Sequence, residues 1–213
     1  VSPHEEFRPF TQAAVELAEE QLIVMGQVVE GVGVADLTTG AAYTSATPIA
    51  DAIADASSVV VETLQLSADV HDESVVVDKS LTIVALPGAT WTPSTGTQAI
   101  QVNGALSFTL DGVTITSTVA NRRAISLFDP GTTLTILNCA FDTFSTFDGG
   151  ALNANDPAAI TISDTTFTGS AGDERADNGG AIYITSNNDA PVTLTDVTFD
   201  HVEAGENGGA IFT

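Results

Sequence analysis

The sequence predicts an all-β fold, a parallel β-helix (solenoid) over residues 46–213, preceded by an N-terminal helical segment, capping or docking, over residues 1–45. Three observations carry this expectation. The phrase Gly-Gly-Ala-Ile/Leu occurs at Gly149-Gly150, Gly179-Gly180 and Gly208-Gly209, at spacings of 30 and 29 residues. A fixed period in that range marks an architecture in which each unit hides its apolar face only by stacking on its neighbours. Between the glycine pairs a second phrase recurs: Leu134 to Phe141 aligns with Ile160 to Phe167 and Val192 to Phe199, with a weaker copy from Phe108 to Ile115. In every copy apolar residues alternate with Thr or Ser, the period-two signature of a strand with one buried face.

Taken in order, the N-terminal segment reads differently from the rest. From Pro9 to Val29 the apolar positions Phe10, Ala14, Leu17, Val24 and Val28 recur near helical spacing, with Glu16, Glu19 and Glu20 between them. A second helix is expected from Pro48 to Ala56, with Pro48 in the first turn and Ile49, Ala52 and Ile53 on one side. Both segments suit a cap, because an open coil exposes apolar core and unpaired backbone groups. The first helix is alternatively a docking element for another molecule.

Strand patterning then begins at Val59 to Leu66 and continues through Ser74 to Val84, Ala99 to Val102 and Arg123 to Leu127. Within each copy an Asn, Asp or Gly follows the Leu-x-Ile alternation, and these residues tolerate the left-handed backbone of a sharp bend. Alternation resumes after it, which places Phe141, Phe167 and Phe199 in one interior column. The six glycines Gly149, Gly150, Gly179, Gly180, Gly208 and Gly209 are expected to stack at one corner. The last residues match the first strand of a new coil, so the C-terminal end is expected to be open or truncated, covered either by further chain or by another subunit stacked head to tail.

Composition narrows the function classes. Twenty-eight Asp and Glu stand against five Lys and Arg, for a formal net charge of -23. That field disfavours nucleic acid and anionic membrane surfaces, whose recognition depends on cationic side chains. No apolar run approaches the roughly 20 residues of a spanning helix, so direct membrane insertion is not expected. Val1 opens a polar, acidic stretch and not a signal-type apolar one, consistent with a mature form. The lone Cys139 falls on an inward position and reads as a small buried hydrophobe.

The acidity has two readings. It is either a solvated face of the kind a saline habitat selects, or a calcium site formed by stacked loops, with Asp173, Glu174 and Asp177 in one coil and Asp200, Glu203 and Glu206 in the next. The only concentrated positive charge is Asn121-Arg122-Arg123, with Asp129, Asp142 and Asp148 in neighbouring coils. A polysaccharide lyase needs such a base beside calcium carboxylates; the simpler reading is a turn whose guanidinium groups pair with surrounding acids. A hydrolase needs two carboxylates at a defined separation, and His4, His71 and His201 are scattered. Thr109, Thr135, Thr161 and Thr193 form an outward column, but its neighbours Ser107, Thr133, Ala159 and Pro191 are too irregular for an ordered-water surface.

The Gly-Gly-Ala-Ile/Leu phrases resemble the repeats of polymorphic outer-membrane proteins, and Asp78-Lys79-Ser80-Leu81-Thr82-Ile83 is similar to the opening coil of pectin-lyase-like β-helix proteins. The resemblance covers roughly residues 46 to 213. It implies a right-handed helix and an extracellular or cell-surface protein, often an adhesin or stalk. The expected function is therefore non-enzymatic adhesion, surface coating or filament building. Its partners are extracellular polysaccharide, surface proteins or copies of itself. The alternative is a calcium-dependent polysaccharide lyase or glycoside hydrolase.

Overall fold

The computed structural model describes residues 21–24, 27–30, 33–117, 122–142, 148–169, 176–187 and 189–213. Its centre is a right-handed-type parallel β-solenoid with three faces of six parallel strands each. The Leu-x-Ile face comprises Glu62–Leu66, Leu81–Ala85, Ser107–Asp111, Thr133–Leu137, Ala159–Ser163 and Val192–Thr195. The Phe face comprises Val70–His71, Thr90–Trp91, Thr114–Thr116, Ala140–Asp142, Thr166–Thr168 and Thr198–Asp200. The Gly-Gly-Ala face comprises Val75–Val77, Gln98–Val102, Arg123–Leu127, Leu152–Asn155, Ile182–Thr185 and Ile211–Phe212. A short parallel pair, Ala176–Asn178 with Ala204–Asn207, runs beside the last two coils.

The chain bends between the first two faces at Gly112, Asn138, Asp164 and Asp196, with φ of 76°, 51°, 50° and 52°. These are the positions where the sequence places Gly, Asn or Asp, the residues that enter the left-handed region at least cost. One residue there turns the strand, and the inward alternation continues on the other side.

Register is kept from coil to coil, so equivalent side chains pile into columns. Leu64, Ile83, Leu110, Ile136 and Ile162 are paired successively and fully buried. On the Phe face the interior column reads His71, Trp91, Ile115, Phe141, Phe167, Phe199. Phe141 and Phe167 stack with centroids 4.9 Å apart and planes 7° apart, and Phe167 and Phe199 at 5.2 Å and 12°. In the last coil Val192 and Leu194, in register with Ile160 and Ile162, are exposed.

The N-terminal end is closed. Val34–Asp36 pairs antiparallel with Glu62–Leu66, and Ala42–Tyr43 pairs antiparallel beyond it. Helix α1, Pro48–Asp55, lays Ile49, Ala52 and Ile53 over the core. Burying each isoleucine contributes on the order of 1.5–3 kcal/mol. Thr47 makes no side-chain capping bond. Glu73, just before the strand Val75–Val77, supplies the acceptor: its Oε1 and Oε2 take the N–H groups of Ile49 and Ala50 at 3.0 and 2.9 Å. At the other end Lys79 Nζ donates to the carbonyls of Ala54 and Ala56 at 2.9 and 2.8 Å. An eight-residue helix is too short to persist alone, and a carboxylate at its N-terminus with an ammonium at its C-terminus complements the dipole.

One expectation is corrected. The helix read from Pro9 to Val29 is not formed where the chain is described, since Gln21–Val24 and Gln27–Glu30 are strands paired antiparallel. Ile23, Val24, Val28 and Val29 are β-branched, which costs side-chain freedom in a helix and suits a strand. Residues 9–20, 25 and 26 of that expectation lie outside the described residues.

Two predictions follow from the core. Replacing the central ring of the stack, Phe167→Ala, is expected to lower unfolding free energy by about 3–5 kcal/mol in denaturant titration; a loss below about 1 kcal/mol would contradict the interior column. The second concerns His71, which is fully buried, with Nε2 3.1 Å from the Ser67 carbonyl and Nδ1 without a partner. Burial pulls its pKa below the ordinary value, against the smaller opposing effects of that carbonyl and Asp69. The folded state therefore binds fewer protons than the unfolded one. Stability from this group is fully present above about pH 6.5 and is lost as pH falls toward the folded value. As pH is lowered below about 6.5 the melting temperature of the wild type should fall more steeply than that of His71→Phe; parallel curves would show that His71 is not the responsible group.

Candidate functional site

The Gly-Gly-Ala face turns into its strands at a corner where the glycine pairs stack. Gly149 N–H donates to Asn178 O at 3.0 Å and Gly179 N–H to Asn207 O at 2.9 Å, while Gly150 N–H donates to Gly180 O at 3.2 Å. Gly149, Gly179 and Gly208 have φ of 60°, 56° and 85°. A Cβ on Gly180 would lie 2.5 Å from the carbonyl oxygen of Glu203, so only glycine lets the coils approach this closely. Sequence reading missed the ladder beside them. Asn178 Nδ2 donates to Asp148 Oδ1 and Asn207 Nδ2 to Asn178 Oδ1, both at 2.9 Å. An Asp or Asn precedes every Gly-Gly pair, and that was the available signal.

Earlier coils fill the same corner differently. Gln98 pairs with Arg123, and counting back from Ile125 paired with Leu152 puts Arg122-Arg123 at the level of Gly149-Gly150. The repeat thus exchanges its two smallest residues for its two largest cations. Arg123 is partly buried and its Nε donates to the Asp148 carbonyl at 2.8 Å. Arg122 is only 3 % exposed, and its Nε and Nη1 are buried without a hydrogen-bond partner. Asp72 is near enough to feel that charge. Its carboxyl lies below the usual range first because of the Ser94 hydroxyl and backbone N–H, and only then because of Arg122. Ser126, four residues along from Arg122 and 1 % exposed, also has an unpartnered Oγ.

The outer surface of this face is rich in amides and rings. Gln98 Nε2 donates to Gln101 Oε1 at 2.8 Å, and Gln101 Nε2 to Asn103 Oδ1 at 2.9 Å. Gln101, Ser126 and Asn153 follow one another in a single column. Further along that column Tyr183 and Phe212 stack at 5.2 Å with planes 11° apart, and Phe128 is half exposed nearby. On the Leu-x-Ile face the threonine column is longer than the sequence suggested: Thr63, Thr82, Thr109, Thr135, Thr161 and Thr193 are all in register.

Of the acidic residues read as calcium ligands, Asp173 and Glu174 lie outside the described residues. Asp177 is an exposed residue of Ala176–Asn178, and Glu203 and Glu206 are in and beside the strand paired with it, Ala204–Asn207. Asp200 sits 2.6 Å from His201 Nδ1. Among the described residues no group of three or more His, Cys, Asp or Glu is placed to hold a metal ion. Cys139 is buried, its Sγ 3.0 Å from the Leu137 carbonyl, and burial pushes the thiol up to about 11, which keeps it protonated and unreactive.

The chain matches no protein-family model, no curated protein and no solved structure.

Proposed function

We propose that this chain is an extracellular, non-enzymatic β-helix of the adhesive or surface-coat kind, which contacts polysaccharide along its Gly-Gly-Ala face. The observation that carries this reading is the column in which partly exposed Gln101, Asn153, Tyr183 and Phe212 lie in register, interrupted by the buried Ser126, with half-exposed Phe128 on the same face. Amides offer paired donors and acceptors, and flat rings cover the apolar faces of sugars, so such a surface engages a hydroxyl-rich polymer without a concentrated charge. The coil spacing of about 4.8 Å repeats the contact along the axis. The resemblance of the glycine repeats to those of polymorphic outer-membrane proteins and of the Lys79 segment to pectin-lyase-like coils agrees with a secreted, surface-exposed protein. Adhesion is favoured over a head-to-tail filament because α1 and the antiparallel strands Val34–Asp36 and Ala42–Tyr43 occupy the end on which a neighbouring coil would stack.

The test is retention of the purified chain on immobilised neutral and acidic polysaccharides, with reducing ends and unsaturated products assayed in the same samples. The wild type should be retained with no product released, and Gln101→Ala with Tyr183→Ala should lower retention at least about fivefold, a loss near 1 kcal/mol. Release of product would replace this reading with the lyase or hydrolase one, and no retention on any polymer would remove it.

A further inference from the structure

Charge is distributed unevenly across the polysaccharide surface proposed above. Its column from Gln101 to Phe212 is uncharged, and two residues further along the same strands, on the same side of the sheet, stand Asn103, Phe128, Asn155 and Thr185. The amides of this strip are oriented before any ligand arrives. Gln98 donates to Gln101 and Gln101 to Asn103, while Asn153 Nδ2 donates to the Asp148 carbonyl at 3.4 Å and Asn155 Nδ2 to the Phe128 carbonyl at 3.1 Å. Each such nitrogen keeps a second hydrogen for a hydroxyl, and groups already fixed lose little freedom on binding. Acids border the strip. On the side where the strands begin lie Asp148 and the exposed Asp177 and Glu206; where they end, Asp129, Asp156 and Asp189 follow Phe128, Asn155 and Thr185 along the chain. Asp78, next to Val77, stands one coil before Asn103 and closes the first end. Arg123, at the first border, is partly buried and bonds the Asp148 carbonyl, so its charge sits beside an acid of that row.

We propose that this face takes an uncharged polysaccharide, laid along the solenoid axis, and that the acid rows exclude polyanions from it. This specificity rests on the polysaccharide reading of the same face. At about 3.3 Å per residue, Asp156 stands roughly 10 Å along the strand from Asn153, close to the screening length of about 8 Å at physiological salt. A polyanion on the strip therefore feels the rows on both borders, and like charges brought together oppose binding. Hydroxyls meet no such opposition. Nor does the strip between the rows hold a carboxylate with which a cationic sugar would pair. The axial direction follows from the order of the side chains. Gln101 and Asn103 stand on an early coil and Tyr183 and Phe212 on the last two, so only a chain running from coil to coil meets both kinds.

The experiment is affinity electrophoresis of the whole chain at about pH 7, where carboxylates are ionised, in gels containing matched polymers: hydroxyethyl cellulose against carboxymethyl cellulose, and fully methyl-esterified pectin against polygalacturonate. The uncharged member of at least one pair should bind at least about tenfold more tightly than its charged partner, and its apparent Kd should change less than about twofold between low and high salt. Asp177→Asn with Glu206→Gln should narrow that gap at least about threefold and leave the Kd of the uncharged polymer within about twofold. Asp164→Asn with Asp196→Asn, the same change of net charge at the bends between the other two faces, should not narrow it. Gln101→Ala and Tyr183→Ala, each alone, should both weaken binding of the uncharged polymer; an effect of only one would place the polymer across a single coil and overturn the axial arrangement. Equal or tighter binding of the charged members, or tighter binding of chitosan than of either uncharged polymer at high salt, would overturn the specificity while leaving the polysaccharide reading in place. Retardation by no polymer at all would remove both.

Discussion

The three faces of the solenoid depend on backbone hydrogen bonds running from each coil to the next in register. Parallel pairing leaves no choice of neighbour: a residue sits about 4.8 Å above its equivalent one coil earlier. Like therefore lies on like. For apolar side chains this is favourable without further arrangement, which is why Phe141, Phe167 and Phe199 stack face to face and why Leu64 to Ile162 form a continuous interior column. For glycine it permits a close backbone approach, with amide groups bonding directly between Gly149-Gly150 and Gly179-Gly180 and onward to Gly208-Gly209.

For charged residues the same constraint is adverse, and at two places the chain relieves it with amides. The column before the glycines reads Asp148, Asn178, Asn207, so that each amide donates to the oxygen below it. At the bend, Asn138 donates to Asp111 one coil earlier at 2.8 Å. At the N-terminal end stacking has to stop. There the unpaired edge meets antiparallel strands, and α1, held by Glu73 at one terminus and Lys79 at the other, covers the core. At Arg122 the stack buries a guanidinium whose Nε and Nη1 find no hydrogen-bond partner.

Much of this was legible in the sequence because a solenoid writes its geometry as a period. The glycine pairs, the Phe positions, the bend residues and the helix beginning at Pro48 all follow from local pattern. What escaped reading was long-range. Glu73 and Lys79 cap a helix more than 20 residues away, and no spacing rule links them to it. Thr63 and Thr82 were missed from the threonine column because loops of unequal length hide the equivalence of the first two coils. The strands at Gln21–Val24 and Gln27–Glu30 were read as helix because five apolar positions at near-helical spacing outweighed the β-branched character of the residues themselves. Nor does sequence alone show that Arg122 is buried, since arginines at a turn are ordinarily solvated.

The central claim is the register, and a disulfide measures it most directly. In a Cys139→Ala background, Thr135→Cys with Thr161→Cys places two thiols on directly paired positions of adjacent coils, within the Cα separation of about 4.4–6.8 Å that a disulfide spans. Thr135→Cys with Ser163→Cys shifts one partner by two residues. Under mild oxidation of the folded protein the first pair should close nearly completely and the second should not. Equal closure of both, or closure of the second alone, would contradict the coil-to-coil stacking from which the rest of the structure follows.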